Sequence, residues 1–110
     1  MAITVLPTPD FIKDIKDISK KHKGILLDIA KLSAELKINP TLGTPLGQNV
    51  FKIGLAISNT NKGKSGGARV ITYVLVLKEI IYLSKIYLKN EQDTVDADTV
   101  VQRLKDAGLI

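Results

Sequence analysis

Asn61-Lys62-Gly63-Lys64-Ser65-Gly66-Gly67-Ala68-Arg69-Val70-Ile71-Thr72-Tyr73 joins a glycine-rich cationic loop directly to a β-branched strand. Its glycines let the chain take positive φ and bring main-chain N–H groups up to a ligand without interference from Cβ atoms. Lys62, Lys64 and Arg69 add positive charge that no acid in the stretch offsets, and such a segment suits phosphate. Lys64 and Ser65 after Gly63 resemble the end of a Walker A loop. That pattern, however, requires a glycine where Ser58 stands and a helix afterwards. Here Ala68 to Leu77 follows, a run too apolar on both faces for a sheet edge, so it reads as a central strand and a nucleotide-binding P-loop is rejected.

Strands flank this stretch on both sides. Val50 to Ser58 alternates, with Phe51, Ile53, Leu55 and Ile57 on the face that should meet helices and Lys52, Gly54, Ala56 and Ser58 on the other. Ile80 to Leu88 also alternates, which would put Ile81, Leu83, Lys85 and Tyr87 on one side and Ile80, Tyr82, Ser84 and Ile86 on the other. Upstream, Ala2 to Leu6 suits an edge strand ended by Pro7. Thr8 is placed as an N-cap, Pro9 as the first helical residue, and Asp10 against the positive end of the helix dipole. Phe11, Ile12, Ile15 and Ile18 recur at helical spacing. After Gly24, Ile25, Leu26, Ile29, Leu32 and Leu36 resume it, giving a helix hairpin or one bent rod. Asn39 to Gly47 is dense in turn formers and crosses to the sheet. At the other end Asp96 can cap a last helix, stapled by Val95 and Val100 and ended by Gly108. The expected class is α+β: a small, mainly antiparallel sheet with an N-terminal helix hairpin on one face and a short C-terminal helix. The opposite face would carry Lys52, Arg69 and Lys85.

With 110 residues, 45% of them hydrophobic, the chain can build one core, so residues 1–110 are expected to form one domain. There is no cysteine and a single histidine, His22, which argues against a disulfide framework, a thiolate zinc site or a histidine-rich metal centre. No early apolar run reads as a signal peptide or membrane span, and a cytoplasmic, soluble protein is expected. The net charge of +5 is unevenly spread. Residues 50–89 hold seven cations against Glu79 alone, whereas residues 90–110 hold two cations against five acids. The middle of the chain is thus the electrostatic footprint of a polyanion binder, although a lysine-rich solvated surface would look the same by charge alone.

Three segments together resemble the RelE/ParE superfamily of toxin-antitoxin toxins, in its RelE-type branch. They are Lys52-Ile53-Gly54-Leu55, then Lys62-Gly63-Lys64-Ser65-Gly66-Gly67-Ala68-Arg69-Val70-Ile71, then Ile86-Tyr87-Leu88-Lys89. The likeness covers nearly the whole chain. It implies a small toxin held inactive by a cognate antitoxin, an endoribonuclease that cleaves mRNA, commonly on the ribosome, with no cofactor or metal. It also implies site residues. Lys62 and Lys64 match the family's loop lysines, Arg69 its strand arginine, and Tyr87 with Lys89 the tyrosine and basic residue near the last strand's end. Lys52, Lys85, Lys89, Gly66 and Gly67 would line the RNA. One departure stands out: many relatives carry an arginine at the position of Gly54. Its loss removes a guanidinium from the RNA face and weakens a strand interior, so a catalytically impaired member is one alternative. A ParE-like toxin that binds DNA gyrase without chemistry is another.

Cleavage of RNA without a metal requires a proton to leave the 2′-hydroxyl, charge to build on the phosphate, and a proton to reach the departing 5′-oxygen. The basic segment contains neither carboxylate nor histidine, so lysine, arginine and tyrosine must share the work. Lys62 or Lys64 would act as base or phosphate clamp, since clustered ammonium groups depress one another's pKa. Arg69 would stabilise the transition state, and Tyr87 would donate a proton or stack on a base. A tyrosine in an apolar strand also serves as core with its hydroxyl at the rim, and Lys85 and Lys89 also suit solvated sheet-edge charges.

Overall fold

In the computed structural model, which describes residues 2–58, 67–91 and 95–110, the chain starts with an edge strand, β1 (Thr4–Pro7). Thr8 then fastens the first helix to the sheet. Its hydroxyl accepts from Phe11 N at 3.2 Å as an N-cap and donates toward the carbonyls of Leu83 and Ser84 at 3.1 and 3.2 Å. One side chain, 4% exposed, thereby satisfies a helix end and a strand end together. Helix α1 (Pro9–Lys21) and helix α2 (Ile25–Ile38) form the hairpin, broken at Gly24. On α2 the buried stripe is Ile25, Asp28, Leu32 and Leu36; Leu26, assigned to it by periodicity, is 59% exposed.

Strands β2 (Thr44–Gly47), β3 (Val50–Leu55), β4 (Ala68–Leu75) and β5 (Ile80–Leu88) complete a sheet of order β1-β5-β4-β3-β2, and β4 is central as the sequence suggests. β1 runs parallel to β5 and every other pairing is antiparallel. β2 lies within the stretch expected to be turn, since two of its four residues, Pro45 and Gly47, are turn formers. It is held by a tight hairpin in which Gln48 and Asn49 both take left-handed φ, 53° and 63°. The central strand stops at Leu75, two residues early, in a 3₁₀ turn at Val76–Lys78 closed by Glu79 at φ 54°.

Apolar faces account for the packing. Phe11, Ile18, Ile25, Leu32 and Leu36 cover Ile53, Val70, Ile81 and Ile86 on one face, each buried side chain contributing about 1.5–3 kcal/mol of transfer free energy. The other face is not bare. Helix α3 (Ala97–Asp106) lays Ala97, Val100 and Leu104 over Val50, Ile71 and Tyr82. Asp96 caps it through Thr99 N at 2.7 Å. It ends in a two-bond left-handed cap: with Gly108 at φ +73°, Gly108 N donates to Lys105 O and Leu109 N to Leu104 O, both at 3.0 Å.

The simple alternation of β5 fails at one point. Ile71 pairs with Lys85 but Thr72 pairs with Leu83, so Ser84 is an extra residue, a β-bulge. Beyond it every side chain of β5 changes face: Ile86 joins the helix-side core and Tyr87 the α3-side cluster with Tyr82. This corrects the placement of Tyr87 with Ile81 and Leu83. Among the described residues no helix is long and apolar enough to cross a membrane.

Candidate nucleic-acid interface

Because of that bulge, the residues singled out in three different strands meet on one face. Gly54, Arg69 and Tyr87 are consecutive cross-strand partners and form a single row. Lys52, Ile71 and Lys85 form the adjacent row, and Val50, Tyr73 and Tyr82 lie farther along the sheet, in the direction of α3. Strands stand about 4.8 Å apart and same-face residues about 6.8 Å along the strand, so Gly54, Arg69, Tyr87 and Lys52 fit in a patch about 10 Å by 7 Å. Helix α3 covers the Val50–Tyr82 part of the face and the Tyr87 end of the Arg69 row, so the more open part of that row is its β3 side, at Arg69 and Gly54.

Arg69 is half-buried, and neither it nor Lys52 forms an ion pair with any described residue. Their charge is therefore not neutralised within the described fold. A Cβ built on Gly54 would lie 3.0 Å from Arg69 Nη1, so the guanidinium reaches across β4 onto β3. Tyr87 is 6% exposed among Val50, Ile71, Ala97 and Val100, so its ring offers no open face on which a base could stack. Lys85 turns round the edge of β5 to Asp14 of α1, with Nζ 3.5 Å from Oδ2. Asp14 also accepts from Ile86 N at 3.4 Å, where β1 no longer supplies a partner. Lys85 thus sits next to the patch but is engaged by a carboxylate. Lys89 is exposed, and its N–H donates to Gly67 O at 3.0 Å.

Lys62, Lys64 and Gly66 lie outside the described residues. The two points between which their segment runs are described, and both are tied down. Gly67 is buried and held by Lys89. Ser58 is held by Asp28 of α2, whose Oδ2 accepts from Ser58 N at 2.8 Å while Oδ1 accepts from the Ser58 hydroxyl. Asp28, 6% exposed, was not among the residues expected at the site. Its signal was in the sequence all the same, for an acid three residues after Ile25 and four before Leu32 stands on a buried stripe and must find a partner there.

Arg103 of α3 forks onto Asp10 of α1, with Nη2 2.6 Å from Oδ1 and Nε 2.7 Å from Oδ2. A cleft of about 470 Å³ beside this pair is lined by Asp10, Lys13, Asp14, Ser84, Lys85 and Arg103, a mixed set ill suited to a polyanion. The hydrogen bond from Arg103 holds the Asp10 carboxyl below its ordinary value of 3.8. A depressed carboxylate stabilises the fold fully above its unfolded-state pKa and loses that contribution as pH falls through the folded one. Asp10→Asn is accordingly expected to melt below wild type at neutral pH, with the gap closing as the pH is taken below 3.8. Paired thermal melts across that range check it; a gap independent of pH would remove the ion pair as its cause. Among the described residues no three His, Cys, Asp or Glu side chains converge as a metal would require.

No protein-family model matches this sequence. Among solved structures, the chain is similar in fold to a mutant of the E. coli toxin RelE in the free state, with a TM-score of 0.65 and 17% identity over 94% of this chain and 99% of that one.

Proposed function

We propose that this chain, which shares its fold with the E. coli toxin RelE, is the toxin of a toxin-antitoxin pair and an endoribonuclease that cleaves mRNA on the ribosome. The observation that carries the reading is the row formed by Gly54, Arg69 and Tyr87. It sets an arginine without a carboxylate partner among the described residues at the end of the sheet where β3 and β4 lead to the segment bearing Lys62 and Lys64. A scissile phosphate over the row would meet the Arg69 fork on two oxygens, and charge developing there would be held by an already oriented cation. Lys52, in the next row, would contact a neighbouring phosphate. Lys62 or Lys64 takes the proton from the 2′-hydroxyl. Tyr87, whose ring and hydroxyl are both buried, forms the packed wall beside Arg69 in place of stacking or donating, and the other loop lysine gives the proton to the departing 5′-oxygen. Gly66, Gly67 and Lys89 bring backbone and charge to the strand's exit. Lys85 is a weaker RNA contact because Asp14 competes for it. Positioning of the messenger by the ribosome supplies the rest of the geometry.

A cognate antitoxin fits the same surface: an acidic segment that folds on docking would neutralise the patch. Expression from an inducible promoter, with primer extension on a reporter messenger, tests the function. Codon-phased 3′ ends are expected and should disappear when a cognate antitoxin is co-expressed. DNA-damage signalling without cleaved messenger would transfer the chain to the gyrase-binding class, and undisturbed growth would mark it as inactive.

A further inference from the structure

Gly54 is the one glycine among the Lys52, Gly54, Arg69, Lys85 and Tyr87 positions; it is exposed, and one side-chain atom, Arg69 Nη1, comes close over its Cα. An added Cβ would come within 3.0 Å of Arg69 Nη1, closer than the roughly 3.5–4 Å at which nonbonded heavy atoms sit comfortably. Arg69 has two cross-strand neighbours toward which its side chain can lean. On the β5 side stands Tyr87, a large residue packed to 6% exposure. On the β3 side stands a residue with no side chain, and the guanidinium lies there.

We infer that Gly54 is a positioning residue for Arg69: by leaving its own side-chain volume empty it seats the Arg69 guanidinium over β3. The inference rests on the ribonuclease reading for its consequence but not for its geometry. Seated this way, the cationic fork is displaced toward the strand that carries Lys52 and leads to Ser58, and it is fixed in one of the orientations a long arginine would otherwise share. The missing guanidinium at position 54 is therefore not a simple loss, since the guanidinium of Arg69 takes its place. An arginine at position 54 would compete for the same space and set like charges directly across two strands.

The test separates these effects from folding. Gly54→Val should not lower the melting temperature, because a β-branched residue favours strand over glycine. It should nevertheless shift the Arg69 Nε–Hε resonance in ¹⁵N spectra, assigned by its absence in Arg69→Lys. Under single-turnover conditions with a short RNA it should slow cleavage about 10- to 100-fold, the range expected when a reacting group is displaced by about 1 Å. In an Arg69→Ala background the same Gly54→Val change should alter the rate less than about twofold, as additivity fails when one residue acts only through another. Gly54→Arg should also lower activity. An unmoved Arg69 resonance, an equal loss in both backgrounds, or a gain from Gly54→Arg would each overturn the inference. A wild-type protein that cleaves no RNA would sink the ribonuclease reading alone, because the resonance still decides whether Gly54 seats Arg69.

Discussion

Arg69→Ala is expected to slow RNA cleavage about 10²- to 10³-fold, the usual cost of removing one oriented donor from a transition-state charge. Its unfolding midpoint should stay near that of wild type. The two halves of this expectation have separate physical grounds. Arg69 is half-buried on an open end of the sheet and pairs with no carboxylate among the described residues, so its removal leaves no orphaned acid in the core. A side chain that has no carboxylate partner among the described residues, yet keeps its charge beside a second cation, Lys52, costs electrostatic repulsion unless an anion arrives. Arg69→Lys distinguishes charge from shape. It keeps the cation but loses the two-pronged fork, so it should recover little of the rate while retaining most of the affinity for single-stranded RNA at low salt. Single-turnover rates and binding isotherms on the same RNA check both variants. Cleavage or toxicity that survives Arg69→Ala at wild-type level would remove this residue, and with it the row, from the chemistry.

How far the sequence could lead follows from which features are local. Helix caps at Thr8 and Asp96, the break at Gly24, the left-handed stop at Gly108 and the central place of the strand that starts at Ala68 depend on a few neighbouring residues, and each is legible in the sequence. The bulge at Ser84 is not. A strand alternates the same way in isolation whether or not its partner skips a residue, and only the register of β4 against β5 reveals that Tyr87 faces Arg69 and Gly54. The coverage of the second face by α3 was missed for a related reason: Val100 and Leu104 show an apolar stripe but not what it meets. Lys85 read as a free cation because its partner, Asp14, is remote in sequence. Gly54 read as a loss because a glycine's meaning lies in what fills the space beside it.

Asp28→Ala should destabilise the fold by about 2–3 kcal/mol, since hydrogen bonds to a buried charged acceptor are worth more than neutral ones and the abandoned donors are left without partners. For a domain of this size that corresponds to a fall in melting temperature of roughly 10 °C. The carboxylate accepts both the N–H and the hydroxyl of Ser58, and it does so at 6% exposure, where water cannot readily replace it. Ser58→Ala removes only the hydroxyl and keeps the N–H bond, so it should cost less; Asp28→Asn, with one acceptor oxygen in place of two, should fall between. The local consequence is more informative than the global one. Ser58 is the last described residue before the segment carrying Lys62 and Lys64, so the α2 carboxylate fixes the point from which those lysines are reached. Hydrogen exchange at the Ser58 amide is expected to accelerate in Asp28→Ala by more than the loss of global stability explains, and cleavage should slow while RNA affinity, set mainly by charge, changes little. A Ser58 amide as protected in Asp28→Ala as in wild type would show that the chain leaving β3 is held at Ser58 without the carboxylate. The carboxylate would then be a buried anchor for α2 with no part in presenting the lysines.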